Sequence, residues 1–260
     1  MPKLAANLSM LWTEHEFLDR FAAAAKAGFK GVEFLFPYAW RPEQIAARLE
    51  ASGLAQVLFN MPPGNWEAGE RGLACLPERK GEFQDGVGKA IAYAKALKCP
   101  TVHAMAGLAP DGADPEKLRA TYVENLRFAA AETKKAGIGL VIEPINTRDI
   151  PRYYLSTPRQ GLAILDAVGS DNLRLQFDIY HAQIMQGDLA PSIEANLARI
   201  GHMQLADTPG RNEPGTGEIN WDFLLPFIDR VGYAGWIGCE YKPKAGTDAG
   251  LGWARKYLGR

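Results

Sequence analysis

Leu4-Ala5-Ala6-Asn7-Leu8-Ser9-Met10-Leu11-Trp12-Thr13 decides between two folds. It is a short apolar run that leads into a turn without glycine. A dinucleotide-binding sheet needs a glycine-rich turn after its first strand, so that backbone can approach a pyrophosphate. Neither that fingerprint nor a phosphate-loop lysine occurs anywhere in the 260 residues. The rest of the chain repeats the same unit, a short apolar run followed by a longer amphipathic stretch. Strands are predicted over Leu4–Leu8, Gly31–Phe36, Ala55–Asn60, Thr101–Ala106, Gly139–Glu143, Arg174–Asp178, Gly201–Ala206 and Gly235–Glu240. Short runs bounded by Gly, Pro or Asn read as strands buried on both faces of a parallel sheet. Alternation of this kind, with no nucleotide turn, predicts an α/β fold: a (β/α)8 TIM barrel, one domain over 1–260.

The intervening stretches carry helix signals. Glu14–Ala27 places Phe17, Leu18, Phe21, Ala24 and Ala25 near a 3.6-residue period, and Gly28 stops it. Pro42–Ser52 opens on proline and closes on Gly53. Further helices are predicted over Arg79–Leu97, Glu116–Ala136 with Asp114 as N-cap, Arg159–Val168, Pro191–Arg199, Trp221–Val231 with Asn220 as cap, and from Thr247 through Tyr257. Met61–Glu78 is the longest irregular stretch. It follows the third strand, on the face where barrel sites form, and loops of that length are usually functional or mobile.

Lysine and arginine number 29 against 30 acidic residues, a net charge of −1, so no overall basic field draws nucleic acid. No run approaches the ~18 apolar residues of a membrane span. Cys75, Cys99 and Cys239 are odd in number and widely spaced. They read as reduced, buried thiols of a cytoplasmic protein. A homo-oligomer is left open.

Barrel chemistry collects at the C-terminal ends of strands. Glu143, Asp178 and Glu240 end strands five, six and eight, and Gln204 lies in strand seven. Any one carboxylate there can cap the next helix or pair with an arginine. Polar ligands on four consecutive strands point instead to convergence above the barrel mouth. Three ionised carboxylates so close would repel, and one divalent cation resolves this. An all-oxygen set suits Mg²⁺ or Mn²⁺ better than Zn²⁺. An arginine or lysine bridging the same point would be the alternative. His181, Arg211 and Lys242 lie on loops beside these ends and are candidates to hold substrate. Glu33 is expected to point into the barrel, and His103 to be a core residue. Glu213 and Glu218 are expected to make local hydrogen bonds, and Trp12 and Trp66 to wall the site or pack.

Several motifs resemble the bacterial hydroxypyruvate isomerase family, which includes 2-oxo-tetronate isomerases and belongs to the xylose isomerase-like TIM barrels. They are Asn7-Leu8-Ser9-Met10, Val32-Glu33-Phe34-Leu35-Phe36-Pro37-Tyr38, Ala68-Gly69-Glu70-Arg71-Gly72, Glu143-Pro144-Ile145-Asn146, Phe177-Asp178-Ile179-Tyr180-His181, Glu213-Pro214-Gly215-Thr216-Gly217-Glu218-Ile219-Asn220 and Gly238-Cys239-Glu240-Tyr241-Lys242-Pro243. The resemblance implies metal ligands at Glu143, Asp178, Gln204 and Glu240, with Glu143 and Glu240 as the acid/base pair. It implies interconversion of hydroxypyruvate and 2-hydroxy-3-oxopropanoate through an enediolate. Isomerisation of 2-oxo-tetronates is the alternative, and a ketose 3-epimerase or an abasic-site endonuclease are more distant ones.

Overall fold

In the computed structural model, which describes residues 1–259, eight parallel strands close into a barrel in sequence order. They are β1 (Lys3–Asn7), β2 (Gly31–Phe34), β3 (Ala55–Asn60), β4 (Thr101–His103), β5 (Gly139–Ile142), β6 (Leu173–Asp178), β7 (Ile200–Leu205) and β8 (Trp236–Cys239). Every predicted strand is present. β2 and β4 are shorter than predicted, because Leu35–Phe36 and Ala104–Ala106 leave the sheet as loop. β8 pairs with β1, which leaves no open edge.

The helices pack around this barrel. They are α1 (Arg20–Ala27), α2 (Pro42–Ser52), α3 (Lys80–Leu97), α4 (Pro115–Lys135), α5 (Pro158–Val168), α6 (Ile179–Met185), α7 (Leu189–Asn196), α8 (Trp221–Arg230) and α9 (Thr247–Gly250). The caps act as the sequence suggests. The Asp114 carboxylate accepts from the Glu116 N–H, the Thr157 hydroxyl from Gln160 and the Asn220 amide oxygen from Phe223. Gly28 and Gly53 end α1 and α2 at φ 99° and 62°, left-handed values that glycine adopts without strain.

Three helical expectations change. The first helix begins as a 3-10 turn at Phe17–Asp19, and α occurs only from Arg20. The last is α for four residues and then 3-10 over Leu251–Tyr257, a segment loosened by Gly250 and Gly252. α6 was not foreseen. It follows β6 with no intervening loop, so strand and helix read as one run. The loop Met61–Glu78 is tied down rather than free. Met61 N–H donates to His103 O and Cys75 N–H to Ala106 O, and Gly72 bridges Ala106. All three cysteines are buried free thiols, as expected. No helix among the described residues is long and apolar enough to cross a membrane.

The main apolar core lies between sheet and helices. A smaller cluster of Ala5, Val57, Leu58 and Val141 stands apart, covered by Trp236 at the start of β8. The barrel interior also holds a polar layer centred on Glu33, which is fully buried. Its carboxylate accepts from Asn7 Nδ2 (3.0 Å) and Gln204 Nε2 (2.7 Å), and lies 2.6 Å from His202 Nε2. Gly238 on β8 makes room for it: a Cβ there would lie 2.2 Å from Glu33 Oε1. Gly238→Ala is therefore expected to cost about 1–3 kcal/mol through overpacking. A thermal melt would read this as a lower Tm, and an unchanged Tm would contradict the packing described.

Candidate active site

Asp178 ends β6 and at once caps α6. Its Oδ1 accepts from the N–H groups of Tyr180 (2.7 Å) and His181 (3.3 Å). The capping role that any single carboxylate could have is thus real, but it uses one oxygen. Oδ2 is buried without a hydrogen-bond partner, and so is Glu143 Oε1. Glu143, Asp178, Glu240 and His181 each present one potential ligand atom, and all four atoms lie within 4.8 Å of one another. Two oxygens on opposite sides of a divalent cation are separated by about 4–5 Å. Orphaned carboxylate oxygens in that arrangement fit a bound cation.

Arg211 also enters the site. Its Nη2 lies 2.7 Å from Glu240 Oε2 and 3.9 Å from Asp178 Oδ2, and its Nη1 lies 3.4 Å from Asp149. The arginine alternative is therefore met in part. One guanidinium faces three carboxylates, however, and the orphan oxygens on Glu143 and Asp178 remain. Arg211 sits on the loop after β7 at φ 54°. That loop is folded around buried Asp207, whose carboxylate accepts backbone N–H groups of Thr208, Gly215, Thr216, Gly217 and Ile219. Glu218 accepts from the Thr208 hydroxyl within this loop, the local bonding expected of it, whereas Glu213 reaches Lys244 N–H on the loop after β8.

Gln204 pairs with Asp178 in register, but its amide is already engaged. Oε1 accepts from Gln176 Nε2 at 2.6 Å while Nε2 donates to Glu33. Its oxygen keeps a second lone pair with which it could face a cation. Lys242 lines the cavity from an exposed position. His103 is fully buried, with Nδ1 3.1 Å from Asn60 Oδ1. Trp12 packs on Phe29, whereas Trp66 lines the cavity.

His181 has a defined tautomer. Asn146 Oδ1 accepts the N–H groups of Arg148 and Asp149, which fixes its Nδ2 as the donor to His181 Nδ1 at 2.7 Å. The ring proton then sits on Nε2, which lies 3.6 Å from Asp178 Oδ2 and 3.9 Å from Glu143 Oε1. An N–H donor serves a substrate oxygen better than a cation, in keeping with the substrate role expected of His181. Sequence reasoning missed Asn146 as this anchor. It also missed Asn7, whose Nδ2 joins Glu33 to Glu240 (3.2 Å). Amides carry no titration signature, and only barrel closure brings Asn7 to Glu240.

A cavity of about 480 Å³ opens above these groups. A larger cleft of about 630 Å³ beside the C-terminal 3-10 segment has aromatic walls. Its one carboxylate, Asp222, pairs with Lys256. Buried Glu143, His181 and Glu240 open into the first. Burial pushes the Glu240 carboxyl up to about 8 and Asp178 up to about 6. Burial, with Glu240 and Asp178 adding repulsion, holds Glu143 well above the usual carboxylate range. Burial and the Arg211 charge keep His181 neutral.

A closed parallel barrel with a carboxylate triad and a neutral histidine at its C-terminal mouth defines an enzyme equipped for proton transfer. The model of the xylose isomerase-like TIM barrel family matches residues 21–257. A 2-oxo-tetronate isomerase of Cupriavidus necator is 54% identical over 260 residues, all of both chains. The hydroxypyruvate isomerase of Escherichia coli is 49% identical over 257 residues, 99% of this chain and all of that one. A crystal structure from Brucella melitensis described as an AP endonuclease of family 2 superposes with TM-score 0.97 at 46% identity, over 99% of each chain. The chain belongs to the xylose isomerase-like TIM barrel family, and it is an isomerase.

Each raised carboxyl binds its proton more tightly in the folded than in the unfolded chain. Metal-free protein is therefore expected to lose stability as pH rises from about 4.5 towards 8. His181 and His103, buried neutral, act oppositely below about 6.5, so the carboxylate effect stands alone above that pH. Cation binding expels the extra protons. The rise in Tm on adding Mn²⁺ should thus be larger near pH 8 than near pH 6, and an equal rise at both would contradict this site.

Proposed function

We propose that this isomerase interconverts hydroxypyruvate and 2-hydroxy-3-oxopropanoate by moving a proton between carbons 2 and 3. The observation that carries the reading is the meeting of Glu143, Asp178 and Glu240, two of them with unpartnered oxygens, in a chain about half identical to isomerases of such acids. A second reading is the same proton shift on a four-carbon 2-oxo-tetronate, from 2-dehydrotetronate to 3-dehydrotetronate. The 54% identity to the Cupriavidus necator enzyme favours it. The cavity has room for either acid. A ketose 3-epimerase remains the more distant alternative.

Glu143, Asp178 and Glu240 would hold one divalent ion, Mg²⁺ or Mn²⁺, with the Gln204 amide oxygen as fourth ligand. Bound there, the ion would act as a Lewis acid for negative charge developing on the two substrate oxygens. Glu143 and Glu240 form the acid/base pair. One takes the proton from the carbon bearing the alcohol, and the other serves the adjacent carbon. His181 Nε2–H donates to the developing enediolate oxygen. Arg211 keeps Glu240 in place through their 2.7 Å contact, and Lys242 adds positive charge at the exposed cavity wall.

An abasic-site endonuclease is the rival that the Brucella melitensis description raises. Three of the four histidines here are buried, and His181 alone among them offers an atom to the group that could hold a cation, while the net charge of −1 offers no field for DNA. Enclosure of the histidines and the isomerase relatives support the small-acid reading.

Two measurements test it. NMR of Mn²⁺- or Mg²⁺-loaded enzyme in D₂O, with hydroxypyruvate and a 2-oxo-tetronate in parallel, should show conversion with solvent deuterium entering at carbon 2 or 3. Inertness toward both would refute the substrate class. Glu143→Gln should fold normally and lose roughly 10²-fold or more in turnover; a folded variant with normal kcat would remove Glu143 from the chemistry.

A further inference from the structure

Three cationic residues line the cavity: Arg71, Arg211 and Lys242. Two of them are poor receptors for a substrate carboxylate. Arg211 is committed to Glu240 and Asp149 and lies over the Tyr180 ring. Lys242 is exposed, a mobile point charge. Arg71 differs from both. It makes no ion pair among the described residues, yet it is held firmly. Its guanidinium lies 3.8 Å from the centre of the Trp66 ring, and Trp66 packs on Phe36 at 4.9 Å. Nη1 donates to the carbonyls of Trp66 (3.0 Å) and Glu70 (2.7 Å). The neighbouring acid, Glu70, is taken by Arg79 at 2.7 Å and cannot quench it.

The backbone is fixed as well. Gly72, the next residue, bridges Ala106 beyond β4 at φ 110°. A Cβ at Gly72 would lie 2.4 Å from Met105 O, so the chain runs directly against that wall. What remains of Arg71 is the edge formed by Nε and Nη2. Neither atom donates to a protein group, and Arg71 is only half-buried where it lines the cavity. That edge is the planar fork that takes a carboxylate in two parallel hydrogen bonds.

We propose that Arg71 receives the carboxylate of the substrate and so selects hydroxy-keto acids over neutral sugars. This rests on the hydroxy-keto acid reading above. The cation site and Arg211 are occupied with balancing the three carboxylates, so the substrate's own carboxylate needs a partner apart from them. A cation on the loop after β3 attracts its carboxylate and leaves carbons 2 and 3 for Glu143 and Glu240. Sequence reasoning assigned this task to Arg211, Lys242 and His181, because it could not see that Arg211 is consumed by acids.

The test compares wild type with Arg71→Gln and Arg71→Met, all metal-loaded, on hydroxypyruvate and its uncharged amide. Wild type should prefer the acid by about 10- to 100-fold in kcat/KM, the worth of hydrogen bonds to a charged partner. In either variant that preference should shrink to about threefold or less, chiefly through KM, with Mn²⁺ affinity unchanged. Calorimetric binding of glycerate, which has no carbonyl to isomerise, should weaken by a similar factor. Retention of the acid preference, or glycerate binding equal in wild type and variants, overturns the assignment. If wild type converts neither acid, the substrate reading fails, while the glycerate titration still decides whether Arg71 is the carboxylate receptor.

Discussion

Three carboxylates buried within one small volume are the constraint around which the rest is arranged. Charge taken out of water is costly unless it is paired, and like charges held together raise that cost. The chain meets it in several ways at once. Two backbone N–H groups at the start of α6 take one oxygen of Asp178. Arg211 takes one oxygen of Glu240, and Asn7 takes the other. His181 is kept neutral. These contacts leave Glu143 Oε1 and Asp178 Oδ2 unanswered, which is the polarity a site for a cation needs.

The barrel makes this crowding affordable by building a second polar layer beneath the first. Glu33 gathers Asn7, Gln204 and His202 from β1 and β7, and the absence of a side chain at Gly238 gives its carboxylate space. Asn7 belongs to both layers. Groups in the upper layer are thereby oriented by bonds made below them, and substrate need not organise them on arrival. The loop after β7 achieves the same end differently, winding its backbone around the Asp207 carboxylate so that Arg211 is delivered at a fixed angle.

The barrel and the carboxylate set were legible in the sequence for one reason: period and position suffice to find them. Eight apolar runs alternate with helical stretches, and Glu143, Asp178 and Glu240 stand where such runs stop. What escaped notice depends on contacts between distant parts of the chain. α6 was hidden because Asp178 closes a strand and opens a helix in one residue. The register shifts on β2 and β6, between Val32 and Glu33 and between Leu175 and Gln176, alter strand pairing without any compositional mark. Arg71 looked like any loop arginine, since neither the stacking of Trp66 nor the diversion of Glu70 to Arg79 leaves a trace in spacing. Gln204 was found by position, but its bond to Gln176 was not.

The β1–β8 seam carries a consequence for biosynthesis. Asn7 ends β1, and its partner Glu240 directly follows β8, so seven strands are synthesised between the two. A nascent chain holding only the first half of the barrel has neither Asp178 nor Glu240 and cannot assemble the carboxylate triad. The cluster must therefore await the closing strand, which makes it a checkpoint on completed folding rather than a nucleus for it.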